Sequence, residues 1–303
     1  MASQRDVKNR IGSVKNIQKI TRAMEMVAAA RLRRAEQRIA ALRPYADALR
    51  RMTRQAALDA GAEASRLELL GERETIATVG LLLVTGDRGL AGGFNSQVIR
   101  AGMRAGAEMD EQGLRTVWYA TGRRGVSSLT FRGRELSGAY TGFTDKPSYA
   151  DARDIAGELI EAYMTGAVDR VELIYNAYVS PLTQEVTRET LLPLSSATIV
   201  GEEFSEPEQD SAREAGPRAL VEYEPDAEEI LRRLVPDYVE TSIYRALVES
   251  AAGFFGAQMT AMRNASENAG EIITDLTLEM NRARQAEITQ EIMEVVAGAE
   301  GLA

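Results

Sequence analysis

Apolar residues recur on a helical period at both ends of the chain and gather into short runs in the middle. Up to Arg43 there is no proline, and Gly12 is the only glycine. Val14, Ile17, Thr21, Met24, Ala28, Ala35, Leu42 and Leu49 fall three, four or seven residues apart, with Leu32 and Ile39 beside them. Such spacing draws one apolar stripe down a helix. The stripe is narrow and rich in alanine, which suits a second helix better than a sheet. Pro44 removes one helical hydrogen bond and bends such a rod without necessarily ending it.

The C-terminal third has the same design. After Pro236 no proline occurs. Leu247, Ala251, Phe254, Gln258, Met262, Ala265, Ala269, Ile272, Leu276, Met280 and Ala283 form a stripe that Ile288, Ile292 and Val295 continue. Phe255, Met259 and Ile273 broaden it. Gly253, Gly256 and Gly270 inside this run each cost a helix about 1 kcal/mol, or else let a neighbouring element come close. About 60 residues of helix extend ~90 Å, far beyond a compact domain of this size. Each long stripe therefore needs a partner, and the economical one is the other end of the chain. The expectation is an antiparallel coiled coil of the two termini.

Between the rods the period changes. Val79 to Val84, Thr116 to Ala120, Val171 to Tyr178 and Thr190 to Leu194 read as strands, and residues 95–112 and 151–165 as helices. SYAD at 148–151 is a candidate capping box for the second helix, and Gly166 a plausible stop. Strands alternating with helices point to an α/β fold with a small, mainly parallel sheet. Residues 201–217 are acidic, poor in apolar groups, and read as a surface loop. The resulting division is a first coiled-coil helix at 1–57, an α/β domain at 72–200, an acidic loop at 201–220 and a second coiled-coil helix at 226–300.

The strand at Val79 to Val84 runs into GDRGLAGGFN, with four glycines between Gly86 and Gly93, and a helix follows. Strand, glycine loop and helix start can cradle a phosphate, because backbone N–H groups converge there. The loop lacks the lysine and Ser/Thr of a P-loop and is not GxGxxG. TGRRG at 121–125 is a second glycine turn with no accompanying catalytic set. The residues favour a strand-to-helix turn over an anion site. The chain has no cysteine and no histidine, which excludes disulfides, thiolate zinc sites and imidazole catalysis. Asp87 and Arg88 are the only acid–base candidates in the loop. The N-terminus has no apolar signal core, and no run approaches the roughly 20 apolar residues of a membrane span.

Charge is uneven. Residues 1–54 hold 14 Lys or Arg against four Asp or Glu, a balance of +10, while the whole chain carries −9. A basic arm fits nucleic acid, an acidic membrane or an acidic protein partner, or is simply a solvated helix face. Tyr45 is the only aromatic residue of the arm, so the stacking platform of a single-strand binder is missing.

Three separated stretches carry a family resemblance: IGSVKNIQKITRAMEMVAAARLRRAE, GDRGLAGGFN and RNASENAGEIITDLTLEMNRARQAEITQEIMEVVAGA. Together, and in this order, they resemble the gamma subunit of bacterial-type F-type ATP synthase. The resemblance implies a rotor shaft, made of the two terminal helices, that turns inside the hexamer of alpha and beta subunits. It also implies a Rossmann-like middle domain that binds no nucleotide or other cofactor, meets the epsilon subunit and rests on the c ring. The chain would be a non-catalytic, peripheral subunit at the cytoplasmic face of the cell membrane, with no nucleic-acid partner and no span of its own. On the matching motifs, Met24 would face the lower beta loops, and Arg284 with Gln285 would form a polar catch with beta. Tyr223 and Glu224 would meet the c ring, and Ile292 to Val296 would sit in the apolar sleeve at the top of the hexamer. The rival reading is a stand-alone α/β enzyme with a coiled-coil dimerisation arm.

Overall fold

The computed structural model describes residues 4–61, 67–71, 73, 75–194 and 226–300. The chain forms two compact units, Arg31–Ala257 and the pair Met1–Ala30 with Gln258–Ala303. Two long helices, α1 (Gln4–Ala60) and α5 (Ala227–Glu300), contribute to both. Pro44 and Pro236 lie inside them, so neither proline ends its helix. The unit boundary falls inside both helices, unlike a division that gives whole helices to the coil. The cause is packing. Leu231, Val239, Ile243 and Leu247 of α5 and Ala56 of α1 belong to the same buried cluster as Leu82 and Val84 of the sheet.

The larger unit is an α/β layer. Its strands are β1 (Thr78–Val84), β2 (Arg115–Thr121), β3 (Leu136–Tyr140), β4 (Arg170–Tyr178) and β5 (Gln184–Leu192). Their order is β3-β2-β1-β4-β5. The first four are parallel, and β5 pairs antiparallel with β4 as an edge. The connecting helices are α2 (Phe94–Glu111), α3 (Arg123–Phe131) and α4 (Tyr149–Met164). Every residue of β1 is buried, as a central parallel strand covered on both faces requires. Leu82 and Val84 face a cluster with Ile155 and Leu159 of α4 and the α5 residues above. Leu81 and Leu83 face Val98, Ala105 and Met109 of α2 and Leu129 of α3. Each such leucine contributes about 2 kcal/mol of burial. The capping box at α4 is present: Ser148 Oγ accepts from the Asp151 N–H, and the Asp151 carboxylate accepts from the Ser148 N–H at 2.7 Å.

Two elements escape the hydrophobic pattern. Helix α3 is nine residues long and buries only Gly125 and Leu129, too little for a visible stripe. Strand β3 is a five-residue edge with one buried position. β5 begins at Gln184, ahead of the expected Thr190, because an edge strand reading QEVTRETLL shows no apolar run until its end. It ends at Leu192, short of the expected Leu194.

In the smaller unit α1 and α5 run antiparallel. Gln18 Nε2 donates to the Ser266 carbonyl at 3.2 Å, and Arg263 Nε pairs with Glu25 at 2.9 Å. Val7, Ile11, Thr21 and Ala28 of α1 are buried, as are Met262 and Ala269 of α5. The seam passes Gln18 rather than Ile17, which is 53% exposed. It likewise passes Ile273 rather than Ile272, because the contact line drifts around each helix by a fraction of a turn.

Candidate functional site

In a doubly wound sheet a ligand binds beyond the carboxyl ends of the strands, where the strand order reverses. Here that point lies between β1 and β4. The crevice is filled by the chain itself. A Cβ on Gly86, just past β1, would stand 3.1 Å from the Phe254 ring of α5. Phe254 also meets Phe94, the first residue of α2, edge to face, with centroids 5.7 Å apart. Asn176 of β4 is fully buried and donates Nδ2 to the Phe94 carbonyl at 3.1 Å. What remains beside Thr85, Gly86 and Ser250 is a space of about 10 Å³, room for about one water. An aromatic ring of α5 thus packs into the crevice beyond the carboxyl end of β1.

The first N–H groups of α3 are occupied as well. Gly122 caps the start of helix α3, whose first N–H groups point at the loop after β1. The Arg123 N–H donates to Asp87 Oδ1 at 3.1 Å, the Arg124 N–H to the Gly86 carbonyl at 3.2 Å, and the Gly125 N–H to Thr85 Oγ1 at 2.8 Å. Thr85 Oγ1 in turn donates to the Thr121 carbonyl at 2.6 Å. Asp87 also accepts from the Gly142 N–H at 2.9 Å and from the Thr144 hydroxyl at 2.8 Å, while its own N–H donates to that hydroxyl. Asn95 staples the loop from inside, accepting from the Gly86 N–H and donating to the Arg88 carbonyl. A carboxylate of the chain thus sits against the N-terminus of α3.

Burial raises the Asp87 pKa, but hydrogen bonds from the Gly142 N–H, the Thr144 hydroxyl and the Arg123 N–H outweigh it, and the net shift is downward from 3.8. A depressed carboxyl contributes stability that is whole above its unfolded pKa and fades as pH falls through its folded one. Asp87→Asn should therefore lower the urea midpoint by a constant amount from pH 7 to about pH 5, with the gap closing below about pH 4. A gap that held constant into acid would show that charge at Asp87 contributes nothing.

Arg88 does not join Asp87 in a catalytic pair. It reaches Asp145 at 3.2 Å, and Asp145 also pairs with Arg31 of α1 at 3.2 Å. Among the described residues no group of three or more metal-ligating side chains converges. Thr85, Asn95, Thr144 and Phe254 complete the arrangement. Of these Asn95 had a signal at the end of the GDRGLAGGFN motif and Phe254 one as a stripe residue, while Thr85 and Thr144 had none.

The smaller unit offers a surface instead of a cavity. Ile17 (53% exposed), Ile20 (58%) and Val27 (53%) lie at helical spacing, with half-buried Met24 between them. This second apolar stripe on α1 is not covered by α5. Arg284 and Gln285 are exposed on α5, and so are Ile292, Met293, Val295 and Val296. Tyr223 and Glu224, with the acidic loop at 201–220, lie outside the described residues. Among those described, no helix is long and apolar enough to cross a membrane.

The ATP synthase family model matches residues 3–302. An ATP synthase gamma chain of Rubrobacter xylanophilus is 44% identical over 305 residues, covering 100% of this chain and 99% of that one. One from Nostoc punctiforme is 41% identical over 315 residues, covering 100% of each. Among solved structures, a chain of the Euglena gracilis mitochondrial ATP synthase matches with a TM-score of 0.64 at 14% identity, over 99% of this chain and 94% of that one. A chain from the central stalk and c-ring structure of the Tetrahymena thermophila mitochondrial enzyme matches with a TM-score of 0.58 at 24% identity, over 82% and 99%. These two likenesses concern the fold.

Proposed function

Since the chain belongs to the gamma-chain family of ATP synthase, we propose that it is the non-catalytic central shaft of that complex. It turns inside the alpha and beta hexamer and carries rotation between the c ring and the catalytic sites on beta. The observation that carries this reading is the uncovered apolar stripe of Ile17, Ile20 and Val27, with half-buried Met24 among them, on a helix already paired along another face. A two-helix rod with an apolar face left over fits a sleeve of other subunits. The filled crevice supports the non-catalytic part, since Phe254 packs on Gly86 just past β1 and Asp87 occupies the N-terminus of α3. The basic balance of residues 1–54 suits acidic loops on beta.

In this reading residues 1–57 and 226–300 carry the shaft, and 72–200 form the foot domain toward epsilon and the c ring. The complex holds the chain at the cytoplasmic face of the cell membrane as a peripheral subunit. Arg284 and Gln285, exposed on α5, make a polar catch with beta, and the apolar turn at Ile292 to Val296 runs in the upper sleeve. Tyr223 and Glu224 serve at the c ring.

Met24→Lys tests the reading. The substitution adds a cation to a basic helix beside beta carboxylates, and a new ion pair there is worth about 1 kcal/mol or more, depending on exposure. The pair forms at some rotor angles and not others, so it adds to the barrier between them. With the variant assembled in vesicles with its partner subunits, ATP hydrolysis should persist while protons pumped per ATP fall, and high salt should ease the loss. Unchanged pumping per ATP would place Met24 on an inert face. If the unsubstituted chain conferred no coupled activity on alpha and beta, the shaft reading itself would fail.

A further inference from the structure

A shaft can drive nothing unless it is fixed rotationally to the domain at its foot. We infer that the turn between β4 and β5 is a steric key seated in a two-glycine notch of α5, which makes the helix and the α/β domain turn as one; the functional half of this inference rests on the shaft reading above. Gly253 and Gly256 are three residues apart and so lie on one face of α5. A Cβ on Gly256 would stand 2.7 Å from the Pro181 carbonyl oxygen and 3.4 Å from its carbon, an approach of backbone to helix that only glycine allows. A Cβ on Gly253 would stand 3.1 Å from Gln184 Cγ and 3.1 Å from the Phe94 ring.

The key is stiff. Ser180 and Thr183 exchange backbone hydrogen bonds across the turn at 3.0 and 3.2 Å. Gln184 Nε2 donates to the Ser180 and Pro181 carbonyls, both at 3.2 Å, which braces the carbonyl that enters the notch. The base of the hairpin holds both long helices. The Tyr178 hydroxyl donates to Glu36 of α1, and the Tyr178 N–H donates to Glu249 of α5. Asn176, two residues earlier, is tied to the start of α2. Phe255 and Ala257 lie about 100° to either side of Gly256, so turning α5 toward either would drive a side chain into the Pro181 carbonyl. The notch therefore reads the rotational setting of α5. It also accounts for two glycines in a helix interior, which propensity alone disfavours.

The first test needs only the full-length chain. Leucine is a better helix former than glycine, so any loosening in Gly256→Leu comes from the blocked notch. Amides of residues 178–186 should lose hydrogen-exchange protection while β1 and β2 keep theirs. Unchanged protection of the hairpin overturns the key, whatever the chain does in a complex.

The second test asks what the key transmits. Assembled with its partner subunits in vesicles, Gly256→Leu should keep ATP hydrolysis but lose pumping per ATP as the opposing proton gradient builds. Equal pumping at every gradient overturns the inference. Absence of coupling with the unsubstituted chain would count against the shaft reading alone, because the exchange experiment still decides the key.

Discussion

Gly122→Ala should unfold the α/β unit at concentrations of denaturant that leave the parent chain native. Gly122 has φ 82° at the start of α3, a conformation that costs an L-residue roughly 1–2 kcal/mol. The larger penalty is steric. The new Cβ would stand 2.2 Å from the Thr85 carbonyl oxygen, 2.6 Å from its carbon and 2.7 Å from the Gly86 carbonyl carbon. All three are backbone atoms, so no rotamer relieves the clash. To make room, the loop after β1 must part from α3. That breaks the bonds from the Gly125 N–H to Thr85 and from the Arg123 N–H to Asp87, together with the packing of Gly86 against Phe254. A loss above about 4 kcal/mol is expected, a large share of the ~5–15 kcal/mol that holds a domain together. Trp118 is the only tryptophan, lies in β2 and is 3% exposed, so its fluorescence reports this unit. Gly89→Ala is the control: its Cβ would stand 2.7 Å from the movable end of Arg124, and the midpoint should shift little. If Gly122→Ala matched Gly89→Ala, the close contact between the β1 loop and α3 would be wrong.

The features that set this clash were only half legible in the sequence. The glycine loop announced a turn after β1, and its missing lysine argued against a P-loop. Nothing in GDRGLAGGFN said that Asp87 would accept bonds from Gly142 and Thr144, which lie more than 50 residues away in the chain. Partners at that distance are brought together by topology, and no local period encodes them. The long helices were legible because a stripe repeated over many turns outweighs any single exception. That repetition also misplaced Ile17. An apolar residue at the right spacing was assigned to the seam, whereas Gln18 reaches the partner helix and Ile17 stays uncovered. A helix with two apolar stripes cannot be resolved by period alone, because both stripes have the same period. Strand β3 and helix α3 were missed for the opposite reason: each buries one or two residues, below what any pattern can show. Phe254 was legible as part of an apolar face, but not as the ring that fills the crevice. That position follows only once α5 is laid across the ends of the strands.

Ala269→Pro should separate the fates of the two units. Ala269 lies deep inside α5, is 4% exposed, and follows Ser266 and Met262 along the seam with α1. Proline there removes the hydrogen bond to the residue 265 carbonyl and clashes with that turn, at a cost of ~3 kcal/mol or more. The damage does not stay local. Residues 270–283, several of them half-buried, lie along the first part of α1, and an isolated amphipathic helix is marginal in water because nucleation is costly. Once the seam is broken at one point, both partners on the far side should fray together. Far-ultraviolet circular dichroism should show a loss of helix well beyond one turn, while the Trp118 transition stays at the parent denaturant concentration because that residue lies in the other unit. Assembly with alpha and beta should fall away, since the uncovered stripe at Ile17, Ile20 and Val27 is presented by a helix that has lost its support. Ala269→Gly supplies the scale. It costs about 1 kcal/mol through propensity, plus the loss of one buried methyl, and keeps the hydrogen bond, so it should weaken the seam without opening it. If proline and glycine gave the same spectrum and the same assembly, continuity of α5 would not be what holds the rod. The seam would then rest on side-chain packing alone, which tolerates a kink.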